Sequence, residues 1–367
     1  MKGKRIVCVV GTRPEAIKMA PVIQALQRSD WAQPYVLLTA QHRELLDQVM
    51  RLFGLAADDD LNIMKPNQQL PALTAQLLLA LDAALERAAP DAVLAQGDTT
   101  TVMCAALASF YRRLPFGHVE AGLRTGDLAY PFPEEGNRVL AARLARWHFA
   151  PTETARRNLL REGIDEGAIH VTGNTVIDAL LQVAPSAQGL DLGFAQGRRL
   201  VLLTAHRREN FGAPMAQVFR AVRALVDRHD DVAVLYAVHP NPNVRQMAQE
   251  LLGGHPRIHL AAPLDYEPFV AAMKAATLIL TDSGGVQEEA PALAKPVLVL
   301  RHETERPEAV DAGVVKLVGP DYEAILRESE TLLTDEDAYR AMARGVSPYG
   351  DGEAAGRIEK ALRASLD

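Results

Sequence analysis

The chain has 367 residues, which at about 150 residues per domain is enough for roughly two domains. Hydrophobic residues make up 48% of the sequence and charged residues 23%, an ordinary composition for a soluble globular protein. Lys and Arg number 39 against 46 Asp and Glu, and the resulting net charge of −7 argues against a nucleic-acid partner, because phosphate backbones are repelled by such a surface.

Two features of the sequence concern the compartment in which the protein works. Cys8 and Cys104 lie in apolar runs without CxxC spacing, which argues against a disulfide framework or a thiolate zinc site and suits a reducing compartment. The apolar run at residues 6–10 is too short for the core of a signal peptide, and no stretch approaches the length of a membrane span. We therefore predict a cytoplasmic protein with no membrane partner.

In the first half of the chain, short β-branched runs alternate with longer stretches of helical period. Strands are predicted at residues 5–10, 35–39, 92–96, 117–120, 148–150 and 169–172. The clearest helices between them are predicted at residues 42–53, 73–87 and 134–146. This alternation is typical of a parallel sheet that is covered by helices.

Residues 184–197 have no steady period and are rich in Gly, Pro, Ser and Gln, which predicts a linker. The alternation then restarts, with strands predicted at residues 200–205, 232–238, 258–261, 278–281, 297–300 and 314–318, and an amphipathic helix at 353–365. We predict an α/β fold of two Rossmann-like, doubly wound domains with a cleft between them. The first spans residues 1–183 and is joined by the C-terminal helix at 353–367; the second spans residues 198–350.

Ligands of doubly wound sheets bind beyond the carboxyl ends of the strands, so polar residues at these ends are candidates for a site. Arg13 and Lys18 follow the first strand at a predicted helix start, where two cations suit a diphosphate or are simply solvated. Asp98 follows the third strand and suits a helix cap or a site. Glu120 ends the fourth strand, where an ionised carboxylate needs a partner or a task. The next loop ends in two adjacent glutamates, the first of them Glu134, which suit a first helical turn.

In the second half, His206 follows the first strand and the segment DSGGVQEE follows the fourth. Ser283, Gly284 and Gly285 open a helix there and expose backbone N–H groups that suit a phosphate, while a carboxylate one turn later suits the hydroxyls of a ribose. An Asp or Ser cap with helix-dipole charges is the alternative. The sequence contains no GxGxxG after its first strand, no GxxxxGK[ST] and no HExxH, and its histidines are scattered. We therefore expect no cofactor and no metal.

Taken together and in this order, the strand-end segments resemble the non-hydrolysing UDP-N-acetylglucosamine 2-epimerases. The resemblance covers nearly the whole chain and implies a glycosyltransferase-B-like fold whose second domain holds most of the nucleotide. The segments that carry it are GTRPEAIKMAP (11–21), TAQHRELLDQV (39–49), QGDTTT (96–101), GHVEAGLRTGD (117–127), FPEEGNR (132–138), PTET (151–154), TGNTVIDAL (172–180), HRRENFG (206–212), ILTDSGGVQEEAP (279–291), KPVLVLR (295–301) and TERPEAV (304–310).

The resemblance also implies a set of site residues. It places the uracil near Phe269, the ribose on Glu289 and the diphosphate on the 283–285 turn with Arg13. The full set of implied UDP contacts is Arg13, the main chain at Leu264, Phe269, Ser283, Gly284, Gly285, Glu289 and Arg306. The residues implied around the sugar are Lys18, Asp98, Glu120, Glu134, Arg138 and His206, all but Arg138 as candidates for catalysis. Which carboxylate removes the proton is left open.

The implied reaction inverts C2 of UDP-N-acetylglucosamine to give UDP-N-acetylmannosamine. The C2 hydrogen is not α to a carbonyl, and the nicotinamide fingerprint is absent, so neither simple deprotonation nor oxidation serves. The remaining route breaks the bond between C1 and UDP, removes the C2 proton to give an unsaturated glycal, and then returns both. A hydrolysing 2-epimerase, a glycosyltransferase of the same fold and a non-enzymatic binder of nucleotide sugars are the alternatives.

The resemblance further implies a homodimer, through the first domain, that supplies cell-surface polysaccharide synthesis. It also implies a second UDP-N-acetylglucosamine that bridges the domains and activates turnover by favouring the closed state. The contacts implied for this effector are Gln41, His42, Arg207 and His239. Glu44 stands where some relatives carry Gln, and Asn67 where some carry Arg. Since less positive charge then faces the anionic effector, we expect weak activation.

Overall fold

The computed structural model of the chain describes residues 3–39, 43–63, 68–207, 210–239 and 241–366, with residues 43–45 by their backbone alone. The chain forms two compact units. Unit 1 comprises Met1–Leu181 and Tyr349–Asp367, and unit 2 comprises Gln182–Pro348. Among the described helices, none combines the length and the apolar character that a membrane span requires.

Each unit contains one parallel sheet. Unit 1 has seven strands in the order β3-β2-β1-β4-β5-β6-β7, and unit 2 has six in the order β10-β9-β8-β11-β12-β13. The strands are β1 Lys4–Val10, β2 Ala32–Leu38, β3 Asp59–Asp60, β4 Ala92–Gln96, β5 Phe116–Val119, β6 Trp147–Ala150, β7 Ile169–Val171, β8 Arg199–Thr204, β9 Val232–Ala237, β10 Ile258–Ala261, β11 Ala276–Thr281, β12 Val297–Val299 and β13 Val315–Leu317. The predicted α/β fold of two Rossmann-like sheets is thereby confirmed. Among the strands of the described residues, β3 alone was not predicted, because a two-residue strand of aspartates has no apolar pattern.

Helices cover the sheets, and their bounds follow the predicted alternation. They are α1 Arg13–Arg28, α2 Arg43–Leu52, α3 Leu70–Ala88, α4 Thr100–Tyr111, α5 Glu134–Leu144, α6 Glu153–Arg161, α7 Thr175–Val183, α8 Ala213–Arg228, α9 Pro242–Leu252, α10 Tyr266–Ala275, α11 Gly284–Ala292, α12 Pro307–Asp311, α13 Tyr322–Thr334, α14 Glu336–Met342 and α15 Ala354–Leu366. In the predicted linker the structure has turns and one short 3-10 helix, Gly193–Ala195.

Helix α15 belongs to unit 1 although it ends the chain. Its Glu359 accepts a hydrogen bond of 2.5 Å from the indole Nε1 of Trp31, and its Ser365 hydroxyl accepts one of 3.0 Å from the indole of Trp147. At the N-terminal end of α15, the carboxylate of Asp178 accepts the backbone N–H groups of Ala354 and Ala355. The two bonds to Asp178 satisfy backbone N–H groups that have no acceptor within the helix. Together with the two indole bonds, they hold α15 against the rest of unit 1.

The inner strands of both sheets are largely buried, as expected where helices cover both faces of a parallel sheet, whereas the edge strands β3, β7, β10 and β13 are partly exposed. In unit 1, Leu77 and Leu81 of α3 pack in the same apolar cluster as Val7 and Val9 of β1. In unit 2, the main cluster gathers side chains from β8, β9, β11 and β12 with the apolar faces of α8, α9 and α13. The apolar periodicity of the sequence therefore supplies the buried apolar clusters of each unit.

The strand order places a topological switch point in each sheet. In unit 1 the chain moves outward from β1 through β2 to β3, then returns to place β4 on the other side of β1. In unit 2, β8 and β11 stand in the same relation. Ligand sites of open α/β sheets lie at the carboxyl ends of such strand pairs. The segments that start at residues 11, 97, 205 and 282 therefore lie where such sheets bind ligands.

Candidate functional site

The carboxylate of Glu120 is the centre of a buried polar cluster in unit 1. Glu120 follows β5 with φ at +63°, a left-handed conformation that is uncommon for a residue with a side chain. Its Oε1 accepts hydrogen bonds from Lys18 Nζ at 2.6 Å and Asn174 Nδ2 at 2.9 Å, and its Oε2 accepts one from Gln96 Nε2. Lys18 and Glu120, both selected from the sequence, are thus an ion pair whose side chains are 14% and 6% exposed.

Asp98 is held beside this cluster by two side chains of helix α5. Its carboxylate pairs with Arg138 Nη2 of α5 at 2.6 Å, and its carbonyl oxygen accepts a hydrogen bond of 2.9 Å from Asn137. Behind it, His118 Nε2 lies 2.7 Å from the carbonyl oxygen of Gly97. Burial lowers the pKa of His118 to about 4, so the neutral ring donates through Nε2. The Asp98 side chain remains 30% exposed and available to a ligand.

The two glutamates that open α5 have different environments. Glu134 is partly exposed, and no hydrogen bond to its carboxylate is formed within the described ranges. Glu135 is buried, and its Oε1 accepts the backbone N–H groups of Thr125 at 3.1 Å and Gly126 at 3.0 Å. Its Oε2 lies 3.3 Å from Arg138 Nη1. Glu135 therefore anchors the loop before α5, whereas the sequence had suggested only a charge on a helical turn.

In unit 2, a buried carboxylate fixes the orientation of His206. Asp282 directly follows β11, is fully buried, and accepts the backbone N–H groups of His206 and Arg207, each at 2.9 Å. Its Oδ1 lies 3.1 Å from His206 Nδ1. Burial alone raises the pKa of Asp282, but the hydrogen bonds and charge of His206 and the backbone N–H groups hold that pKa below its usual value. The ionised Asp282 thus accepts from Nδ1–H, which leaves Nε2 of the partly exposed ring for a ligand.

The start of α11 carries a cation at close range. Ser283 is the N-cap of the helix, and Gly284 and Gly285 supply its first backbone N–H groups, which have no acceptor within the helix. Arg306 Nε donates to Glu288 of the same helix at 2.8 Å. A Cβ added at Gly284 would lie 3.2 Å from the guanidinium carbon of Arg306, so the glycine allows the close approach. A helix N-terminus with an adjacent arginine is suited to a phosphate.

Glu289 connects α11 to the start of α10. Its buried carboxylate accepts a hydrogen bond of 2.7 Å from the hydroxyl of Tyr266, the first residue of α10. Phe269, one turn further along α10, and Leu264, just before this helix, are both partly exposed. The residues proposed for the base and the ribose are thereby brought to one corner of unit 2.

The remaining residues that the resemblance implies are Arg13 and the effector contacts, and the structure describes only some of them. Arg13 is the first residue of α1, whose N-cap is Thr12. The His206 and His239 rings are nearly parallel, with centroids 6.3 Å apart. Of the implied effector contacts, Gln41 and His42 lie outside the described residues. So do the side chain of Glu44 and the whole of Asn67.

The residues in these contacts that were not selected from the sequence as site residues include Gln96, Asn174, Tyr266 and Asp282. Each lies at a strand end or a helix start, so the rule that selected the others was a signal for them too. Their hydrogen-bond partners are distant in sequence, so the sequence did not show which residues they would contact. Within the described ranges, no three His, Cys, Asp or Glu side chains are grouped so as to hold a metal ion.

The chain is similar over nearly its whole length to several known proteins. A family model described as UDP-N-acetylglucosamine 2-epimerase matches residues 24–363. The UDP-N-acetylglucosamine 2-epimerase of Escherichia coli (strain K12) is 50% identical over 98% of this chain and 98% of its own, and that of Yersinia pestis is 52% identical over the same shares. The crystal structure of the Neisseria meningitidis enzyme bound to UDP-GlcNAc has a TM-score of 0.92 and 47% identity, covering 98% of this chain and 100% of that one.

Proposed function

This chain belongs to the UDP-N-acetylglucosamine 2-epimerase family, and we propose that it interconverts UDP-N-acetylglucosamine and UDP-N-acetylmannosamine by inverting C2 of the sugar. The observation that carries the proposal is the ion pair of Lys18 and Glu120 at the switch point of unit 1, next to Asp98. Glu120 and Asp98 are carboxylates that hydrogen bonds hold in place after β5 and β4, and such groups suit acid–base chemistry on a sugar. The named relatives do not favour a hydrolase or a glycosyltransferase.

The reaction proceeds by elimination and re-addition. The C1–O bond breaks and its electron pair leaves with UDP, while a carboxylate takes the C2 proton and the C2–H electrons form a C1=C2 double bond. The intermediates are 2-acetamidoglucal and UDP. In the second half, UDP oxygen bonds again to C1, and a proton is delivered to the opposite face of C2. Atoms and charge balance without an oxidant, so no redox cofactor is required.

Unit 1 supplies the acid–base groups in this proposal. Asp98, Glu120 and Glu134 are the candidate bases and acids, and their different environments favour different roles. Glu120 accepts three hydrogen bonds in a buried cluster, which stabilises its charged form, whereas Glu134 has no such donors among the described residues. Lys18 holds Glu120 in place, and Arg138 holds Asp98.

Unit 2 binds the UDP in this proposal. The N-terminus of α11, from Ser283 to Gly285, and Arg306 provide the dipole and the cation that stabilise the charge developing on the leaving diphosphate. His206, oriented by Asp282, offers Nε2 to the same group or donates a proton to it. Arg13 is a further proposed diphosphate contact, Glu289 the ribose contact, and Phe269 with the main chain at Leu264 the uracil contacts.

We further propose that the protein acts in the cytoplasm as a homodimer and supplies activated sugar for cell-surface polysaccharide synthesis. A second UDP-N-acetylglucosamine, contacted by Arg207 and His239 of unit 2, is the proposed activator. The family membership supports these four proposals. Light scattering at micromolar concentration tests the dimer, and a monomer there counts against it.

The decisive test of the reaction is incubation with UDP-N-acetylglucosamine in heavy water. Because C2 loses its proton to a carboxylate that exchanges with solvent, the product should carry deuterium at C2 with UDP still attached. Proton spectra and mass spectra of the separated products report both features. Epimerised product without deuterium excludes the elimination route, and release of free N-acetylmannosamine shows a hydrolysing enzyme instead.

A further inference from the structure

We propose that Glu15 is a positioning residue for the epimerisation, an inference that rests on the function proposed above. Its carboxylate joins the turn after β1 to the turn after β4. Oε2 accepts the backbone N–H groups of Gly11 at 2.6 Å and Thr12 at 2.9 Å, and Oε1 accepts a hydrogen bond of 2.6 Å from the hydroxyl of Thr99. The first turn leads into Arg13 and Lys18, and the second contains Asp98.

A helix cap alone does not account for this arrangement. In an ordinary capping box, the glutamate at the third helical position accepts the N–H of the N-cap residue, as Glu15 does with Thr12. Here the same carboxylate is 3% exposed and also reaches Gly11 and Thr99, which lies 84 positions away. Thr99 is itself the N-cap of α4 and accepts the N–H of Val102. One carboxylate therefore links the starts of α1 and α4.

The surroundings leave the first turn little freedom. A Cβ added at Gly11 would lie 2.8 Å from the hydroxyls of both Thr39 and Thr101, and 3.1 Å from Glu15 Oε2. These two hydroxyls lie 3.3 Å from each other. The ends of β1 and β2 and the start of α4 thus close around Gly11, and the glutamate occupies the remaining side. Displacement of the carboxylate breaks the two N–H bonds that Gly11 and Thr12 donate to it.

The carboxylate is kept there against an electrostatic penalty. Burial raises the pKa of Glu15 to about 7, a rise that the three hydrogen bonds oppose and the negative charge of Asp98 increases. A cap on an exposed helix would carry no such penalty. The hydrogen bonds to Gly11, Thr12 and Thr99 are what favour an ionised Glu15 beside Asp98.

Unit 2 also has a buried carboxylate that accepts backbone N–H groups across its own switch point. There Asp282, at the end of β11, accepts the N–H groups of His206 and Arg207 after β8. In unit 1 the carboxylate starts from the β1 side and reaches the β4 side; in unit 2 it starts from the β11 side and reaches the β8 side. In both units a buried carboxylate crosses the switch point and fixes a turn that carries a proposed site residue. This repetition favours a role in positioning.

The consequence for the reaction is the placement of Asp98. Its carbonyl oxygen is bonded to Asn137, its carboxylate to Arg138, and the neighbouring Gly97 to His118. The hydrogen bond from Thr99 to Glu15 connects this turn to α1, the helix that carries Lys18. Without it, Asp98 and Lys18 are no longer held in register with each other. A displacement of about 1 Å of reacting groups lowers turnover by roughly 10²-fold.

The test compares Glu15→Gln with Thr99→Val and Thr99→Ser, by kcat, KM, UDP affinity and deuterium entry at C2. An amide keeps the shape of Glu15 but has one oxygen, so it cannot accept all three bonds. We expect kcat to fall about 10–100-fold in Glu15→Gln and in Thr99→Val, with UDP affinity changed less than about twofold because unit 2 is unaltered. Thr99→Ser keeps the hydroxyl and should restore most of the turnover.

A double variant and a control separate positioning from stability. Because Glu15 and Thr99 act through one bond, Glu15→Gln combined with Thr99→Val should lower kcat no further than the worse single variant. Asp178→Asn removes another buried carboxylate that accepts two backbone N–H groups in unit 1, and should lower the melting temperature without lowering kcat at 25 °C.

Three outcomes overturn the inference. If wild-type protein incorporates deuterium at C2 and both Glu15→Gln and Thr99→Val keep full kcat, Glu15 is a structural cap only. The same conclusion follows if kcat falls in all variants, Asp178→Asn included, in proportion to the loss of melting temperature. If wild-type protein itself produces neither deuterium exchange nor epimer, the proposed function fails, and the inference fails with it.

Discussion

Separating stability from turnover at the pair formed by Lys18 and Glu120 gives the sharpest test of the candidate site. Lys18→Met removes the cation and leaves a carboxylate that is 6% exposed, with the amides of Gln96 and Asn174 as its remaining donors. Breaking a buried pair from one side costs about 3–5 kcal/mol. Since two donors remain, we expect the low end, about 3 kcal/mol. For a folding unit of this size this corresponds to a melting temperature lower by roughly 6–12 °C.

The double variant Lys18→Met with Glu120→Gln should recover most of that stability. It replaces both charges by neutral groups of similar volume, and such replacements of buried pairs are often close to neutral. We expect it to lie within about 1 kcal/mol of wild type, so the coupling energy is about 2 kcal/mol or more. Turnover should stay low, by at least about 10²-fold, because both functional charges are gone.

Calorimetry and steady-state kinetics on the four proteins of the cycle provide the assay. Lys316→Met is the control, because Lys316 and Glu328 form an exposed pair in unit 2 and such pairs contribute at most about 1 kcal/mol. The reasoning is refuted if Lys18→Met destabilises no more than Lys316→Met. It is also refuted if the double variant loses the sum of the two single effects, or if it regains full turnover.

Three further predictions concern charge, pH and activation. Asp98→Asn and Glu134→Gln should each lower turnover about 10²–10⁴-fold if that group transfers a proton, with unchanged UDP affinity by calorimetry; full activity in both contradicts the assignment. Burial lowers the pKa of His118 to about 4, so only the unfolded state gains this proton as pH falls through 6.5. The stability advantage of wild type over His118→Gln should therefore shrink by about 2 kcal/mol from pH 7 to pH 5 in urea unfolding; a constant difference contradicts this. UDP-N-acetylmannosamine alone should react after a lag that a trace of UDP-N-acetylglucosamine removes, whereas immediate full rate shows that no activator is needed.

Much of the fold followed from local sequence pattern. The predicted strands at 92–96 and 258–261 coincide with β4 and β10, and most other bounds differ by one or two residues. Larger differences occur at β2, which begins three residues before the predicted 35, and at the N-terminal end of α3. Apolar period and turn residues act over a few neighbouring positions, and this is the range over which secondary structure forms. Segments that follow strands were identified for the same reason.

The partners of the site residues were decided only by tertiary structure. Glu120 meets Lys18 from 102 positions away and Asn174 from 54, and Tyr266 meets Glu289 from 23. The pair of Lys18 and Glu120 depends on β4 lying between β1 and β5 in the sheet of unit 1. Strand order results from the packing of the whole sheet, and no local pattern encodes it. Burial, which raises the pKa of Glu15 and lowers that of His118, arises in the same way. The sequence by itself thus determined which groups lie at the strand ends. The packing of the sheet determined which of these groups form hydrogen bonds and ion pairs with each other.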